Sequence, residues 1–278
     1  MSHHDNRRWT GQRSGNFPLM KAIFIGDVVG KIGCEALAAV LPQIKREHGA
    51  DIVIVNGENS AEGNGIDARS AESIYNAGAD VITTGNHAFR KRSVMNEFDR
   101  RDTLLRPANF GEYLPGKGVC TIDLGAYSAA VVNLIGTAYM NPVDNPFKCA
   151  EELLKTIDSK VIIVDFHAEA TSEKRAMGYF LSGKVSAVLG THTHVQTADE
   201  QIIDGTAYIT DVGMTGPHDS ILGVEKDVII EKFLTYYPKK HVYAGGKADI
   251  CGVVVEIDKK NGKALNIERF CRSYNTDL

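Results

Sequence analysis

This chain of 278 residues is poor in cysteine, and its cysteines follow no pattern that would bind zinc or build a disulfide framework. There are five of them, an odd number, widely spaced and without a C-x-x-C pair. Long apolar runs are also missing, since none approaches the roughly 18 residues that a bilayer-spanning helix needs. We therefore expect a protein of the reducing cytoplasm with no membrane partner.

An excess of positive charge is missing as well. The formal net charge is −4 and the pI is about 6.1, so stable binding to nucleic acid is not expected. Residues 1–19 are polar and contain no apolar h-region, and we interpret them as a disordered N-terminal extension rather than a secretory signal. The length of the remainder, residues 20–275, suits one large domain.

Short apolar runs alternate with helical patterns along much of the chain. The runs that predict strands lie at residues 21–25, 52–55, 80–83, 119–123, 129–135, 161–166 and 185–189. Helices are predicted near residues 33–48, 68–76, 91–101, 146–157 and 172–181, and Asp67 can cap the second of them. Beyond residue 189 the pattern indicates antiparallel strands, with hairpin turns at Asp204-Gly205 and Asn261-Gly262. This order favours a single two-layered or sandwich-like α/β domain.

Residue types that bind metals follow five of the apolar runs directly. They are Gly26-Asp27, Gly57-Glu58-Asn59, Gly85-Asn86-His87, Phe166-His167 and Gly190-Thr191-His192-Thr193-His194. Strands that end in such residues would place them on one edge of a parallel sheet, the edge where open α/β sheets form their sites. We therefore expect these side chains to meet.

Each residue type has a use at a site with two metals. Glu58 can bridge two cations, while an asparagine offers a neutral oxygen. In an extended chain His192 and His194 point to the same side with Cα atoms roughly 6.5–7 Å apart, so each can reach one of two metals about 3.5–4 Å apart. His87 beside such a site could protonate a leaving oxygen.

Each residue also has a structural alternative when it is taken alone. Asp27 could cap a helix or turn, His87 and His167 could be packed structural histidines, and an H-x-H pair is common in exposed loops. The repeated position after buried strands favours the metal site.

In order, the motifs GD, GEN, GNH, H and GTHTH resemble the calcineurin-like metallophosphoesterases. Val29 stands where their general pattern has a histidine, and Glu58-Asn59 replaces an aspartate group; the YmdB-like phosphodiesterases share both departures. The match to that branch includes IGDVVGK, NGENSAEGNGI, TTGNHAF, DFHAEATSEK and VSAVLGTHTHVQTADE, and it runs from about residue 21 to 272. The segment FRKR at residues 89–92 differs from relatives, so substrate contacts near His87 are not carried over.

The resemblance implies a calcineurin-like sandwich of mixed β-sheets flanked by helices. It also implies two metal ions, iron in preference to manganese, and a homo-oligomer, either dimer or tetramer. One metal would be surrounded by Asp27, Glu58, Asn59 and His194. The other would be surrounded by Asn86, His167 and His192, with Glu58 bridging both metals and His87 as the general acid.

The function that follows is a dinuclear metal-dependent phosphodiesterase acting on a small nucleotide. The resemblance points to 2′,3′-cyclic nucleotides, with 2′,3′-cyclic AMP first. A hydroxide bridging the metals would attack phosphorus in line, and His87 would protonate the departing ribose oxygen. Two alternatives stay open at this point: a regulatory or nucleotide-sensing protein with little turnover, and a phosphatase or phosphodiesterase that acts on another phosphoester.

Overall fold

The computed structural model describes residues 19–62 and 64–275. The predicted extension at residues 1–19 lies outside the described residues except for Leu19, which begins the first strand. None of the helices in the described part of the chain is long and apolar enough to cross a membrane.

The described residues form thirteen strands and six α-helices, with a short 3-10 helix at Arg92–Val94 before α3. In chain order they are β1 (Leu19–Ile25), β2 (Asp27–Val28), α1 (Gly30–His48), β3 (Ile52–Asn56), α2 (Ala68–Asn76), β4 (Val81–Thr83), α3 (Met95–Arg100), β5 (Val119–Asp123), β6 (Ser128–Ile135), α4 (Pro146–Leu154), β7 (Val161–His167), α5 (Thr171–Leu181), β8 (Ala187–Thr191), β9 (Gln201–Ile203), β10 (Thr206–Ile209), β11 (Met214–Pro217), α6 (Lys226–Thr235), β12 (Ala248–Asp258) and β13 (Ala264–Tyr274).

These strands form two mixed sheets. One has the order β2-β11-β12-β1-β3-β4, with β13 paired to β12, and the other has the order β5-β6-β7-β8-β10-β9. Strands β1, β3 and β4 run parallel in the first sheet, as do β6, β7, β8 and β10 in the second. Antiparallel neighbours lie toward the edges of the second sheet and along β11, β12 and β13 in the first. The predicted class of mixed sheets flanked by helices is therefore confirmed.

The side chains along each strand point alternately to the two faces of its sheet, and this alternation builds the layers of the fold. Ala22 and Phe24 of β1 belong to an apolar cluster shared by both sheets, whereas Ile23 and Ile25 pack with residues of α1 such as Leu37. Successive side chains of a strand point to opposite faces, so each central strand serves two cores. A third cluster joins the outer face of the second sheet to α4 and α5. The sheets thus pack face to face with helices outside them.

The sequence predicted the bounds of α2 correctly. Asp67 caps it as predicted, accepting a hydrogen bond from the backbone N–H of Ser70 at 2.8 Å, and the Ser70 hydroxyl accepts from the Asp67 backbone N–H at 3.1 Å. Such a reciprocal pair satisfies N–H groups that have no partner inside the helix.

The prediction of only antiparallel strands beyond residue 189 is wrong in two respects. β10 pairs with β8 and β11 with β2, both in parallel, and α6 forms in the middle of this region, whereas the two predicted hairpins, β9 with β10 and β12 with β13, are confirmed. The sequence of α6 carries apolar residues at 228–230, 233 and 234, a helical spacing that the prediction missed, although Ile229 is the one residue of this helix that is buried.

Candidate metal centre

All eight residues singled out by the motifs lie together where the edges of the two sheets meet. The single parallel sheet expected for them is wrong, because β1, β3 and β4 belong to one sheet whereas β7 and β8 belong to the other. Long-range packing brings the carboxyl ends of both sets of strands to one place. The residues that converge are Asp27, Glu58, Asn59, Asn86, His87, His167, His192 and His194.

Glu58 lies at the middle of this cluster and is fully buried. Its Oε1 lies 3.3 Å from Nε2 of His167 and accepts a hydrogen bond from the Asn59 side-chain N–H at 3.1 Å. Its Oε2 accepts from the backbone N–H of His87 at 3.1 Å. The carboxylate therefore contacts residues from both of the predicted ligand sets.

His167, His192 and Asn86 form one side of the cluster. The Nε2 atom of His167 lies 3.0 Å from Nδ1 of His192 and 3.0 Å from the side-chain oxygen of Asn86. Glu58, His167 and His192 each offer one ligand atom, and these three atoms all lie within 4.8 Å of one another. Carboxylate and imidazole atoms at such separations are the donor set of a transition-metal site.

Asp27, Asn59 and His194 form the other side. Oδ1 of Asp27 lies 3.8 Å from Nε2 of His194, which contacts the Asn59 side-chain nitrogen at 3.2 Å. Oδ2 of Asp27 accepts the backbone N–H of His192 at 3.1 Å. Oδ1 is buried and has no hydrogen-bond partner among the described residues. A buried carboxylate oxygen without a partner is costly, and a bound cation would satisfy it.

Hydrogen bonds on the outer side of His167 and His194, and a close carboxylate contact on the outer side of His192, direct the other nitrogen of each ring into the cluster. Nδ1 of His167 contacts the Thr191 hydroxyl at 2.9 Å, and Nδ1 of His194 contacts the backbone oxygen of Leu222 at 3.1 Å. Nε2 of His192 lies 3.1 Å from a carboxylate oxygen of Glu169. An outer N–H bond of this kind sets the tautomer in which the inner nitrogen has a free lone pair.

The electrostatics agree with a site built for cations. Burial raises the pKa of Asp27. Burial also disfavours the imidazolium of His167, but the charge and hydrogen bond of Glu58 outweigh it and raise the pKa of His167 to about 9. Burial and the neighbouring His167 lower the pKa of His192 to about 3. Burial opposes the ionised form of Glu58 too, yet the charge and hydrogen bond of His167 hold its pKa well below the ordinary value. The donor set, with its nitrogen and oxygen atoms and unpaired carboxylate oxygen, fits metal ions.

The backbone at His192 and His194 is not the extended chain that the sequence predicts. His192 has φ +103° and His194 has φ +64°, in the region that side chains other than glycine rarely adopt. Backbone N–H groups explain the bend, since that of His192 donates to Asp27 and that of Thr193 donates to Asp211 Oδ2 at 3.0 Å. The two imidazoles reach the cluster from a turn held between buried carboxylates.

Two polar residues that support the cluster were missed in the sequence. Asp165, in the middle of β7, accepts from the Thr191 hydroxyl at 2.7 Å and from the Asn56 side chain at 3.0 Å, so it orients the threonine that contacts His167. Asp211 is buried and ion-paired with Lys174 at 2.6 Å. A charged residue inside an otherwise apolar strand, such as Asp165 in VIIVDFH, is the signal that could have revealed this support.

His87 borders a cleft of about 510 Å³ above the cluster. Its Nδ1 lies 2.9 Å from the side-chain oxygen of Asn59 and 3.2 Å from Oε1 of Glu58. Its Nε2 has no hydrogen-bond partner among the described residues. In the segment that differs from relatives, Arg90 lines the same cleft, whereas Phe89 packs away from it against Phe98, with ring centroids 5.2 Å apart.

This chain is similar to known proteins over most of its length. A family model described as YmdB-like protein matches residues 23–270. The 2′,3′-cyclic-nucleotide 2′-phosphodiesterase of Bacillus subtilis (strain 168) is 46% identical over 253 residues, which cover 90% of this chain and 96% of that protein. The crystal structure of a novel phosphatase from Mycoplasma pneumoniae is 35% identical with a TM-score of 0.89, covering 94% of this chain and 96% of that one. That of a hypothetical protein from Thermus thermophilus is 38% identical with a TM-score of 0.86, covering 91% and 99%.

Proposed function

The chain belongs to the YmdB-like family, as its motifs predicted, and we propose that it is a metal-dependent phosphodiesterase that hydrolyses 2′,3′-cyclic nucleotides. The observation that carries this proposal is the convergence of carboxylate, amide and imidazole side chains around the unpaired Oδ1 of Asp27, beneath a cleft of nucleotide size. The similar protein of Bacillus subtilis is named for this substrate class.

We assign the ligands as two sets that share Glu58. Asp27, Asn59 and His194 would hold one ion, and Asn86, His167 and His192 the other. The contacts of Glu58 with both His167 and Asn59 support its bridging position. Nitrogen and oxygen donors without thiolate suit iron and manganese alike, and we place iron first because the family resemblance favours it.

The side chains supply orientation and a proton. When bound, the two metal ions would draw charge from the phosphoryl oxygens and make water acidic enough to act as a nucleophile near neutral pH. His87 lines the cleft, while Asn59 and Glu58 hold its Nδ1. We assign His87 as the acid that donates the Nε2 proton to the ribose oxygen as its bond to phosphorus breaks. Cleavage of the 2′ ester would leave the nucleoside 3′-phosphate.

We also propose a cytoplasmic homo-oligomer. The small, odd number of cysteines and the lack of a C-x-x-C pair support a reducing compartment. Tyr236 and Tyr237, just after α6, are 89% and 70% exposed. Large exposed apolar groups of this kind are typical of protein contacts. Light scattering coupled to gel filtration should give a mass of at least two chains, and a monomer would contradict this part of the proposal.

The central test uses protein purified without chelator or added metal. Metal content is measured by mass spectrometry, and hydrolysis of 2′,3′-cyclic AMP is followed by chromatography that separates 3′-AMP from 2′-AMP. We expect about two iron or manganese ions per chain and 3′-AMP as product. Two metals without turnover would support a nucleotide sensor or an enzyme for another phosphoester. Failure to bind iron or manganese even after their addition would refute the site.

A further inference from the structure

We propose that Phe233 of α6 is the stacking platform for the nucleobase of the substrate, and that it gives the enzyme a preference for purines. The inference deepens the proposed function and rests on it. The metal cluster would bind the cyclic phosphate, whereas the base needs a separate contact within the same cleft.

The cleft has two chemically different parts. Glu58, Asn59, His192 and His194 of the metal cluster line it together with His87. The other part, here called the apolar wall, comes from a segment that no motif explained. Its apolar members are Ile221, Leu222, Val224, Ile229, Phe233 and Tyr243, and Lys232 and His241 of the same segment also line the cleft. A phosphoester site and an apolar wall within one cleft match a nucleotide, which joins a charged phosphate to a flat ring system.

Backbone hydrogen bonds fix this wall relative to the cluster. The backbone oxygen of Leu222 contacts Nδ1 of His194, a proposed metal ligand, at 3.1 Å. The Glu225 N–H donates to the Val242 oxygen at 2.9 Å, and the Ala244 N–H donates to the Gly223 oxygen at 3.0 Å. The segment is therefore tied to the ligand set at one end and closed on itself around α6.

Phe233 is the exposed aromatic residue of this wall. It follows the buried Ile229 by four residues and therefore lies on the same face of α6. The residue is 72% exposed although it lines the cleft. Leu234 is next in sequence and 77% exposed, but it does not line the cleft. The two side chains are a matched pair, since truncation of either removes a similarly exposed apolar group from one helix.

Stacking would produce a specific pattern of substrate preference. Bases stack on aromatic side chains whatever their hydrogen-bonding edges, and the gain grows with the area of overlap. Purines have two fused rings and should bind more tightly than pyrimidines. The apolar wall should add no stacking energy to the binding of a substrate that has a cyclic phosphate but no base.

The experiment compares 2′,3′-cyclic AMP, 2′,3′-cyclic CMP and the base-free glycerol 1,2-cyclic phosphate on metal-loaded enzyme. For Phe233→Ala we expect KM for cyclic AMP to rise about tenfold, equivalent to about 1.4 kcal/mol, with a smaller rise for cyclic CMP. The kcat/KM for the glycerol ester should not change. Phe233→Tyr keeps the ring and should behave as wild type, and Leu234→Ala should leave the ratio between cyclic AMP and the glycerol ester unchanged.

Other outcomes overturn the inference in distinguishable ways. An equal loss on all three substrates in Phe233→Ala would mean that the ring acts on the reaction centre or the fold. No change on any of them would place the base elsewhere. A lower oligomer mass in Phe233→Ala, seen by light scattering, would assign the ring to a contact between copies. If wild-type enzyme with bound metal hydrolyses none of the three, the proposed function itself fails, and this inference with it.

Discussion

Replacing Gly85 with alanine should remove at least one metal per chain while the protein remains folded. Gly85 follows β4 and precedes Asn86, and a Cβ atom there would lie 2.2 Å from Cδ2 and 2.3 Å from Nε2 of His167, and 2.4 Å from Oε2 of Glu58. Carbon atoms in contact are separated by about 3.5–4.0 Å, so both side chains must retreat by more than an ångström. His167 is fully buried, and its Nδ1 is held by Thr191 at 2.9 Å, so it has little room to move.

The size of the effect follows from this overlap. Overpacking of this kind costs about 1–3 kcal/mol of stability, which a domain of ordinary stability tolerates. A displacement of about 1 Å at a reaction centre can reduce the rate about 100-fold, and Gly85→Ala displaces both Glu58 and His167. We therefore expect turnover of 2′,3′-cyclic AMP to fall at least about 100-fold, with loss of at least one metal per chain.

The assay measures metal content, thermal melting and turnover on the same sample. Gly111→Ala is the matched control, because a Cβ at that position meets nothing within 4 Å; it should behave as wild type in all three measurements. Normal metal content and turnover in Gly85→Ala would refute the reasoning. A variant that fails to fold would show that the overlap destabilises the whole domain rather than the site alone.

Further changes test other parts of the proposal. His87→Ala should keep both metals and lower kcat about 10²- to 10⁴-fold; unchanged turnover would exclude His87 as the acid. Glu58→Ala should lose at least one metal, and retention of both would disprove its bridging position. Lys174→Met should destabilise the fold by about 3–5 kcal/mol, because Asp211 stays buried without its counter-charge. The exposed Lys155→Met is its control in denaturant titrations, and equal stability of the two would contradict the argument. Chelation should lower the melting temperature of the wild type, as metals bind the native state.

A physical reason links the site to the fold. Residues from both sheets meet at the cluster, so metal ions there would join the two sheets at one edge of the sandwich. Buried carboxylates and inward-pointing imidazole lone pairs are unfavourable as neighbours unless a proton or cation lies between them.

The sequence alone determined the local features and the family. Asp67 as a helix cap, the apolar strands and the ligand types that follow them depend on neighbours along the chain, and they were predictable for that reason. The motifs from IGDVVGK to GTHTH identified the branch of phosphodiesterases.

Tertiary structure decided how these parts meet. The strands that precede the proposed metal ligands are divided between two sheets. This division depends on pairing between strands distant in sequence, which the periodicity of apolar residues does not encode. The positive φ values at His192 and His194 arise because Asp27 and Asp211 accept backbone N–H groups of that turn. The apolar residues of α6 do not reveal that most of them stay exposed, and hydrogen bonds that close residues 221–244 on themselves help to hold Phe233 beside the cleft. Contacts between residues distant in sequence are set by packing of the whole chain, so only the folded molecule places an exposed phenylalanine in the same cleft as the metal cluster.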